Sequence, residues 1–345
     1  MLGHAGAYSA ALAVAAVLGP RVGRKIDRVG GRPVLSLSNL ILAVGLGLLG
    51  LAQSVPLLVI AWLVLGVGMG YGLYDAAFGA LGRIYGKAAR GPITGITLIA
   101  GFASTIGWPL TALGASTIGW RHTCFAWSAA HILIGLPLNL FMLPTVKVAK
   151  ATADNIARPH ITLDSSVILL AFIFASAWTV TGAMAAQLPR ILEAAGASRL
   201  EAISAGALVG PAQVAARIIE VSLLRRYHPL LSTKLACLMH PLGAAIVAIT
   251  GGAGASLFAI FHGAGNGVIT ISRGSLPLAI FGPENYVYRL GIIGAAARMT
   301  QAAAPLGFGF WVDAMGNCVL LVSSALSLAA FAALFMLPER SPQPS

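Results

Sequence analysis

Eleven apolar segments, each about as long as a lipid bilayer is thick, constrain this sequence more than any other feature. A membrane-spanning helix needs about 20 mainly apolar residues, whereas a spanning barrel strand needs about 10. Because a helix satisfies its own backbone groups in lipid, the sequence predicts an all-α membrane protein with eleven transmembrane helices. The segments are 3–20, 34–52, 56–80, 92–115, 122–143, 166–189, 201–219, 231–250, 254–281, 290–312 and 317–337.

The chain also contains an internal repeat. Three pairs of segments match in the same order, at offsets of 194 to 196 residues. Such a tandem duplication predicts two related structural units. We expect an N-terminal half at 1–144, a polar linker at 145–165 and a C-terminal half at 166–345. The matching pairs are 140–144 with 334–338 (LFMLP in both), 68–82 with 263–277, and 95–110 with 291–306.

One helix has no counterpart in this repeat. Subtracting the offset from 166–189 places its partner before Met1. An ancestral pair of six-helix halves would contain twelve helices, and the sequence shows eleven. We therefore expect two pseudo-symmetric six-helix halves that lack the first helix, either at this start site or in a naturally shortened protein.

Charge is sparse and one-sided. Only 9% of residues are charged, against about 25% in soluble domains. The net charge is +12, but if the loop at 21–32 is cytoplasmic, 16 basic residues lie on that side and three on the other. This asymmetry is the positive-inside pattern and fixes orientation, with the linker and the C-terminus in the cytoplasm. The excess of basic residues therefore indicates membrane topology, and we expect no nucleic-acid partner.

The loop after the first apolar segment carries a specific motif. GRKIDRVGGR at 23–32 resembles the motif G-x-x-x-D-R-x-G-R-[RK] of the major facilitator superfamily. It departs once, because Gly31 stands where the family usually has its first arginine. The phrase ISRGSLPLAIFG at 271–282 looks like a bacterial branch remotely similar to oxalate/formate and monocarboxylate carriers. The matching motif positions are Gly23, Asp27, Arg28, Gly30 and Arg32.

The resemblance implies a fold and a function. Members are secondary active transporters that move small solutes by alternating access, and their motif loop latches the outward-facing state. Arg217, Glu220 and Arg225 repeat the motif spacing in the second half, so we expect a gating role for both copies. The resemblance further implies a multi-pass protein of the bacterial inner (plasma) membrane, which acts as a monomer with a small-molecule substrate, protons and the lipid bilayer as partners.

Three charges lie inside apolar segments, where each needs a functional or structural reason. Asp75 lies eight residues before Arg83, Arg273 eight before Phe281 and Arg298 eight after Leu290, so each is about 12 Å from the cytoplasmic end of its helix. We expect them near the midplane, where transporters bind their substrates. Two arginines against one aspartate favour an organic anion. The alternative is a static salt bridge between the halves, such as Asp75–Arg273.

These charges predict a site with separate roles. Asp75 is the candidate for proton coupling. Arg298 has no acidic neighbour on its own helix, so it must face water, a distant partner or the substrate. Its planar, permanently charged guanidinium suits a carboxylate. The predicted substrate-binding residues are Arg298, Arg273, Asn266, Gln301 and Tyr74.

Other functions fit less well. Drug-efflux antiporters often carry an arginine in the part of the fourth family helix that corresponds to 61–70, which has none here; this weakens the hypothesis of drug or metabolite efflux but leaves it open. A non-transporting transceptor or an inactive truncated fragment is the other alternative. The glycine-rich stretches lie inside apolar helices and not after a strand, so they are no dinucleotide fingerprint. The sequence contains no Walker motif and no metal-ligand spacing, so we expect no catalytic residues, no metal and no cofactor.

Overall fold

The computed structural model describes residues 2–144, 164–224 and 226–338, and contains helices and no strand within those ranges. The prediction of an all-α protein is confirmed. The α-helices are α1 (Leu2–Val29), α2 (Gly31–Leu51), α3 (Val55–Gly72), α4 (Tyr74–Tyr85), α5 (Arg90–Thr117), α6 (Trp120–Ala130), α7 (Leu136–Phe141), α8 (Ser165–Ala194), α9 (Arg199–Ile219), α10 (Pro229–Thr250), α11 (Ala255–Phe281), α12 (Tyr286–Met315) and α13 (Val319–Ala333).

All eleven predicted segments are helical. In the described part of the chain, eight helical stretches are long and apolar enough to cross a membrane. Two of them, Pro229–Phe281 and Tyr286–Met336, each contain two predicted segments. α5 is helical but is not among the eight.

Two of the predicted segments are interrupted. The segment at 56–80 breaks at Leu73, whose extended backbone separates α3 from α4. The segment at 122–143 contains a π-helical turn at His131–Gly135 between α6 and α7. His131 Nδ1 lies 2.9 Å from Asn39 Oδ1 of α2. A side chain added at Gly135 would collide with the same Asn39 oxygen, so the turn closes around this polar contact.

The described residues form two compact units. The first comprises Met1–Ala89, Ile106–Val167 and Phe281–Met299, and the second comprises Arg90–Thr105, Ile168–Ile280 and Thr300–Ser345. Each unit therefore draws helices from both halves of the sequence repeat. The predicted division at 1–144 and 166–345 stays a prediction, and linker residues 145–163 lie outside the described ranges.

In the first unit, glycines bring α1 close to α12. A Cβ atom on Gly291 would lie 2.7 Å from the carbonyl oxygen of Gly19. One turn further along α1, a Cβ atom on Gly23 would lie 2.6 Å from the carbonyl oxygen of Val287. Small residues allow such close approach of helix backbones in a membrane. They hold the first half of α12 against α1 and so fix the position of Arg298.

In the second unit, an apolar core positions α8 and α11. Phe258 of α11 and Phe308 of α12 are fully or almost fully buried there, together with Ile191 of α8. The polar residues of α8 and α11 lie outside this core cluster. Its packing therefore fixes the backbones that carry Asn266 and Arg273.

Candidate functional site

A buried ion pair is the most informative feature of the first unit. Arg298 Nη2 of α12 contacts Asp75 Oδ2 of α4, and the two side chains are only 5% and 8% exposed. The second terminal nitrogen of Arg298, Nη1, lies 3.4 Å from the carbonyl oxygen of Ala15 on α1. One guanidinium on α12 therefore contacts two other helices, α4 and α1, which both belong to the first half of the sequence repeat.

Local structure favours an acidic side chain at this place. The break at Leu73 starts a new helix, and Asp75 falls in the first turn of α4. Free backbone N–H groups and the helix dipole make a first turn favourable for a carboxylate. Gly19 of α1 leaves room for the guanidinium of Arg298, because a Cβ atom at this position would lie 3.6 Å from Arg298 Nη1.

The ion pair shows which of the predicted partners Arg298 has in this structure. Among water, a distant partner and a substrate, the structure gives Arg298 a distant partner, and that partner is Asp75. The counter-charge lies on α4, far from Arg298 in sequence. A search for acidic neighbours along α12 therefore does not find it.

The remaining predicted substrate residues fall into two groups. Tyr74 lies beside Asp75 in the first unit and packs against Phe78, with ring centroids 5.3 Å apart. Arg273, Asn266 and Gln301 belong to the second unit.

In the second unit these side chains contact α8. Arg273 is buried with its Cζ atom 4.5 Å from the ring centroid of Trp178. Asn266 Oδ1 lies 3.1 Å from the hydroxyl of Thr181. Sequence reasoning missed Trp178 and Thr181. Their spacing of three residues on one apolar helix, which places them on one face, is the signal that could have found them.

The motif loop contacts the first turn of α12. The carboxylate of Asp27 accepts a hydrogen bond from the backbone N–H of Tyr288, and the positive charge of Arg83 attracts it. Arg24 lies over the Tyr288 ring at 5.4 Å. Gly30 joins α1 to α2 with a φ of 83°, which favours glycine. Asp27 thus faces the positive end of a helix dipole.

The departure from the family motif has a steric reason. A Cβ atom on Gly31 would collide with Cβ of Ala80 on α4, so no arginine side chain fits at that position. Of the two remaining arginines of the motif, Arg28 is exposed and Arg32 is half-buried. The close contact of α2 with α4 replaces the missing side chain by direct backbone packing.

The second copy of the motif forms a polar cluster with α5. Glu220 is 1% exposed, and its Oε1 atom lies 3.3 Å from Arg90 Nη2. Arg90 also donates to the carbonyl oxygen of Tyr227 at 2.7 Å. Arg217 Nη1 donates to the carbonyl oxygen of Thr97 at 2.9 Å. From the sequence, Arg90 is one of the 16 basic residues of the positive-inside pattern, and Arg225 lies outside the described residues.

Metal-ligand geometry is not found in the described part of the chain, where no three His, Cys, Asp or Glu side chains form a group that could hold an ion.

Membrane-spanning helices, a buried intramembrane ion pair and a charged loop that contacts a helix terminus define a polytopic membrane transporter. The chain belongs to the Major Facilitator Superfamily, whose family model matches residues 3–261. It is therefore a transporter and not an enzyme.

Two solved structures share the fold. The crystal structure of the human organic anion transporter MFSD10 (TETRAN) has a TM-score of 0.70 at 17% identity, covering 96% of this chain and 83% of that chain. A variant of the E. coli fucose:proton symporter FucP has a TM-score of 0.69 at 16% identity, covering 96% of this chain and 89% of that chain. At these identities the likeness shows the fold alone. No curated protein matches the sequence.

The contact between Asp27 and α12 leads to a prediction about gating. We expect Asp27→Asn to fold normally but to open the end of the protein at which the motif lies, because the neutral amide interacts more weakly with the helix dipole and with Arg83. Single cysteines at Ile84 of α4 and Ile280 of α11, in a cysteine-free background, should then react faster with a water-soluble maleimide.

Asp164→Asn is the matched control. Asp164 accepts from the backbone N–H of Val167 at the start of α8, and asparagine serves equally well there. Its labelling rates should equal those of the parent. Unchanged labelling in Asp27→Asn together with a lowered melting temperature would show that Asp27 is structural and does not gate.

Proposed function

We propose that this protein is a secondary active transporter that carries a small organic anion together with a proton by alternating access. The observation that carries the proposal is the buried pair of Asp75 and Arg298. A buried ion pair that joins three helices costs desolvation energy and is weak evidence for stability alone. Its place in a transporter favours a pair that opens and closes during the cycle.

The arginine accounts for an anionic substrate. A substrate carboxylate has the same chemistry as the side chain of Asp75, so it can replace Asp75 as the partner of Arg298. The guanidinium offers a planar fork that binds a carboxylate through two parallel hydrogen bonds. Arg273, a second proposed substrate residue, is buried on α11 of the second unit.

The aspartate accounts for proton coupling. When a substrate carboxylate binds Arg298 in place of Asp75, Asp75 loses its counter-charge. A buried carboxylate without a partner is strongly disfavoured and becomes neutral by binding a proton. The arrangement has zero net charge before the exchange, with Arg298 against Asp75, and zero after it, with Arg298 against the substrate and Asp75 protonated. One proton therefore accompanies each anion.

α12 connects this exchange to gating. The backbone N–H that binds Asp27 belongs to Tyr288, ten residues before Arg298 on the same helix, or about 15 Å along its axis. A shift of α12 when the Asp75 pair opens therefore acts on the Asp27 contact as well. Arg217 and Glu220, which join α9 to α5, are the corresponding gating residues of the second unit.

The structural relatives support this function by analogy. One is an organic anion transporter and the other a proton symporter. We place the protein in the plasma membrane of a bacterium as a monomer, with the linker and C-terminus in the cytoplasm, on the strength of the charge asymmetry and of the motif.

The proposed role of Asp75 leads to a prediction about energy coupling. In proteoliposomes, Asp75→Asn should abolish uphill accumulation of a carboxylate under a pH gradient but keep exchange and downhill flux, since asparagine cannot carry a proton. Asp313→Asn is the control, because Asp313 pairs with Arg190 in an exposed ion pair. Accumulation that survives in Asp75→Asn would exclude Asp75 as the proton carrier, and absence of flux in the parent would favour a non-transporting protein.

The second prediction concerns substrate binding. Calorimetry across mono- and dicarboxylates should show that Arg298→Lys retains part of the affinity. Arg298→Gln should lose at least about tenfold, because a hydrogen bond to a charged group contributes about 1.5–3 kcal/mol. Arg190→Gln, at the exposed ion pair, should bind like the parent. If Arg298→Gln binds the tightest carboxylate as well as the parent does, Arg298 is structural and the anion assignment fails. Tighter binding of organic cations would instead favour drug efflux.

A further inference from the structure

Four basic side chains form one face of α1, at the end of the helix where the motif lies. Arg24, Lys25 and Arg28 follow Arg21 by three, four and seven residues, which places all four on the same side of the helix. Three of them are exposed, and Arg24 is half-buried. Together with Val29 they line a surface cleft of about 420 Å³, a volume typical of sites for small ligands. We call this surface the basic face of α1.

The charges of the basic face are not neutralised within the protein. Among the described residues, none of the four cations forms an ion pair. Asp27, the acidic residue of α1, binds the backbone N–H of Tyr288 instead. Like charges four residues apart on a helix, such as Arg21 and Lys25, repel each other. The basic face is therefore unfavourable on its own and attracts an anion from outside the chain.

The depth of the basic face indicates which anion is available to it. The first apolar segment ends at residue 20. At a rise of 1.5 Å per residue, Arg24 and Lys25 lie about 6 to 8 Å beyond that end. The headgroup layer on each side of the hydrocarbon is about 5 to 8 Å thick. The basic face thus lies at the level of the phospholipid phosphates.

Two tyrosines lie beside the central cations of this face. Lys25 Nζ lies 5.4 Å from the centroid of the Tyr71 ring. Arg24 Cζ lies 5.4 Å from the centroid of the Tyr288 ring. Tyrosine is enriched where a membrane protein passes from the hydrocarbon into water. The two rings therefore indicate the same depth as the helix rise does, from side chains on other helices.

We propose that the basic face of α1 binds the headgroup of an anionic phospholipid. Arginine binds a phosphate through two parallel hydrogen bonds, and lysine adds a point charge. Clusters of four or more basic residues next to a membrane helix bind anionic lipids on the cytoplasmic side, where the charge asymmetry places this loop. Of the four cations only Arg28 is a motif position, so the motif alone does not produce this surface. The inference does not depend on the transported solute.

Thermal unfolding of the full-length protein in mixed detergent–lipid micelles tests the proposal. Phosphatidylglycerol should raise the melting temperature of the parent more than phosphatidylcholine does, because a ligand of the folded state stabilises it. Arg21→Gln and Lys25→Gln should each need about fivefold more phosphatidylglycerol for half of the effect, as expected for one basic residue near an anionic surface. The double variant should need about 25-fold more, since the two effects add.

Arg226→Gln is the matched control. Arg226 is exposed and lies 5.5 Å from the centroid of the Tyr227 ring, so the substitution removes one positive charge beside a tyrosine outside the basic face. Its dependence on phosphatidylglycerol should equal that of the parent. If Arg226→Gln weakens the effect as much as Lys25→Gln does, the lipid responds to net charge alone and the inference is overturned.

The behaviour without anionic lipid separates binding from a structural role. In phosphatidylcholine, Arg21→Gln should melt at the same temperature as the parent or higher, because it removes repulsion between like charges. With phosphatidylglycerol it should melt at a lower temperature than the parent. A variant that melts lower in both lipids would show that Arg21 stabilises the fold itself, and this result would contradict the proposal.

Soluble phosphates distinguish a lipid from a free anion. Glycerol 3-phosphate and inorganic phosphate carry the same charged group without acyl chains, and neither should stabilise the parent at the concentrations at which phosphatidylglycerol does. Equal stabilisation by a soluble phosphate would contradict the lipid assignment, as would equal effects of the two lipids on the parent. None of these measurements requires transport, so their failure leaves the proposed function in place.

Discussion

The ion pair between Asp75 and Arg298 is the interaction on which the first compact unit depends. It lies within helices that the sequence places in a membrane, and it joins the start of α4 to the middle of α12, with α1 at hydrogen-bonding distance. Removing one partner of such a pair costs about 3–5 kcal/mol, because the other charge stays buried without compensation. In the proposed function, a substrate that supplies its own carboxylate avoids that cost, which would let the pair hold the helices together at rest and still be exchanged.

The same helix contacts explain how a local exchange can act at a distance. α12 is held to α1 by glycines that leave no space for side chains, and its first turn binds Asp27. Arg298 and Tyr288 lie on this one helix, so a displacement of its first half would change both contacts. The cluster of Glu220, Arg90 and Arg217 joins α5 to α9 in the second unit by direct side-chain contacts.

Much of the fold was predictable, because hydrophobic length and charge clusters act locally along the chain. All eleven segments are helical, and the family assignment from residues 23–32 is confirmed. Interruptions were not predictable: the extended backbone at Leu73 lies inside an apolar segment and has no proline beside it. Partners of buried charges were missed for the same reason. Arg90 and Trp178 contact their partners only after helices far apart in sequence have packed. The residue pattern within one helix cannot predict such contacts.

Proton uptake on binding tests the central claim most directly. Calorimetric titration of benzoate into the parent, repeated in buffers with different heats of ionisation, measures the number of protons taken up for each anion bound. The exchange at Arg298 predicts one proton per anion in the parent and none in Asp75→Asn. Binding without proton uptake in the parent, or uptake that persists in Asp75→Asn, would contradict it.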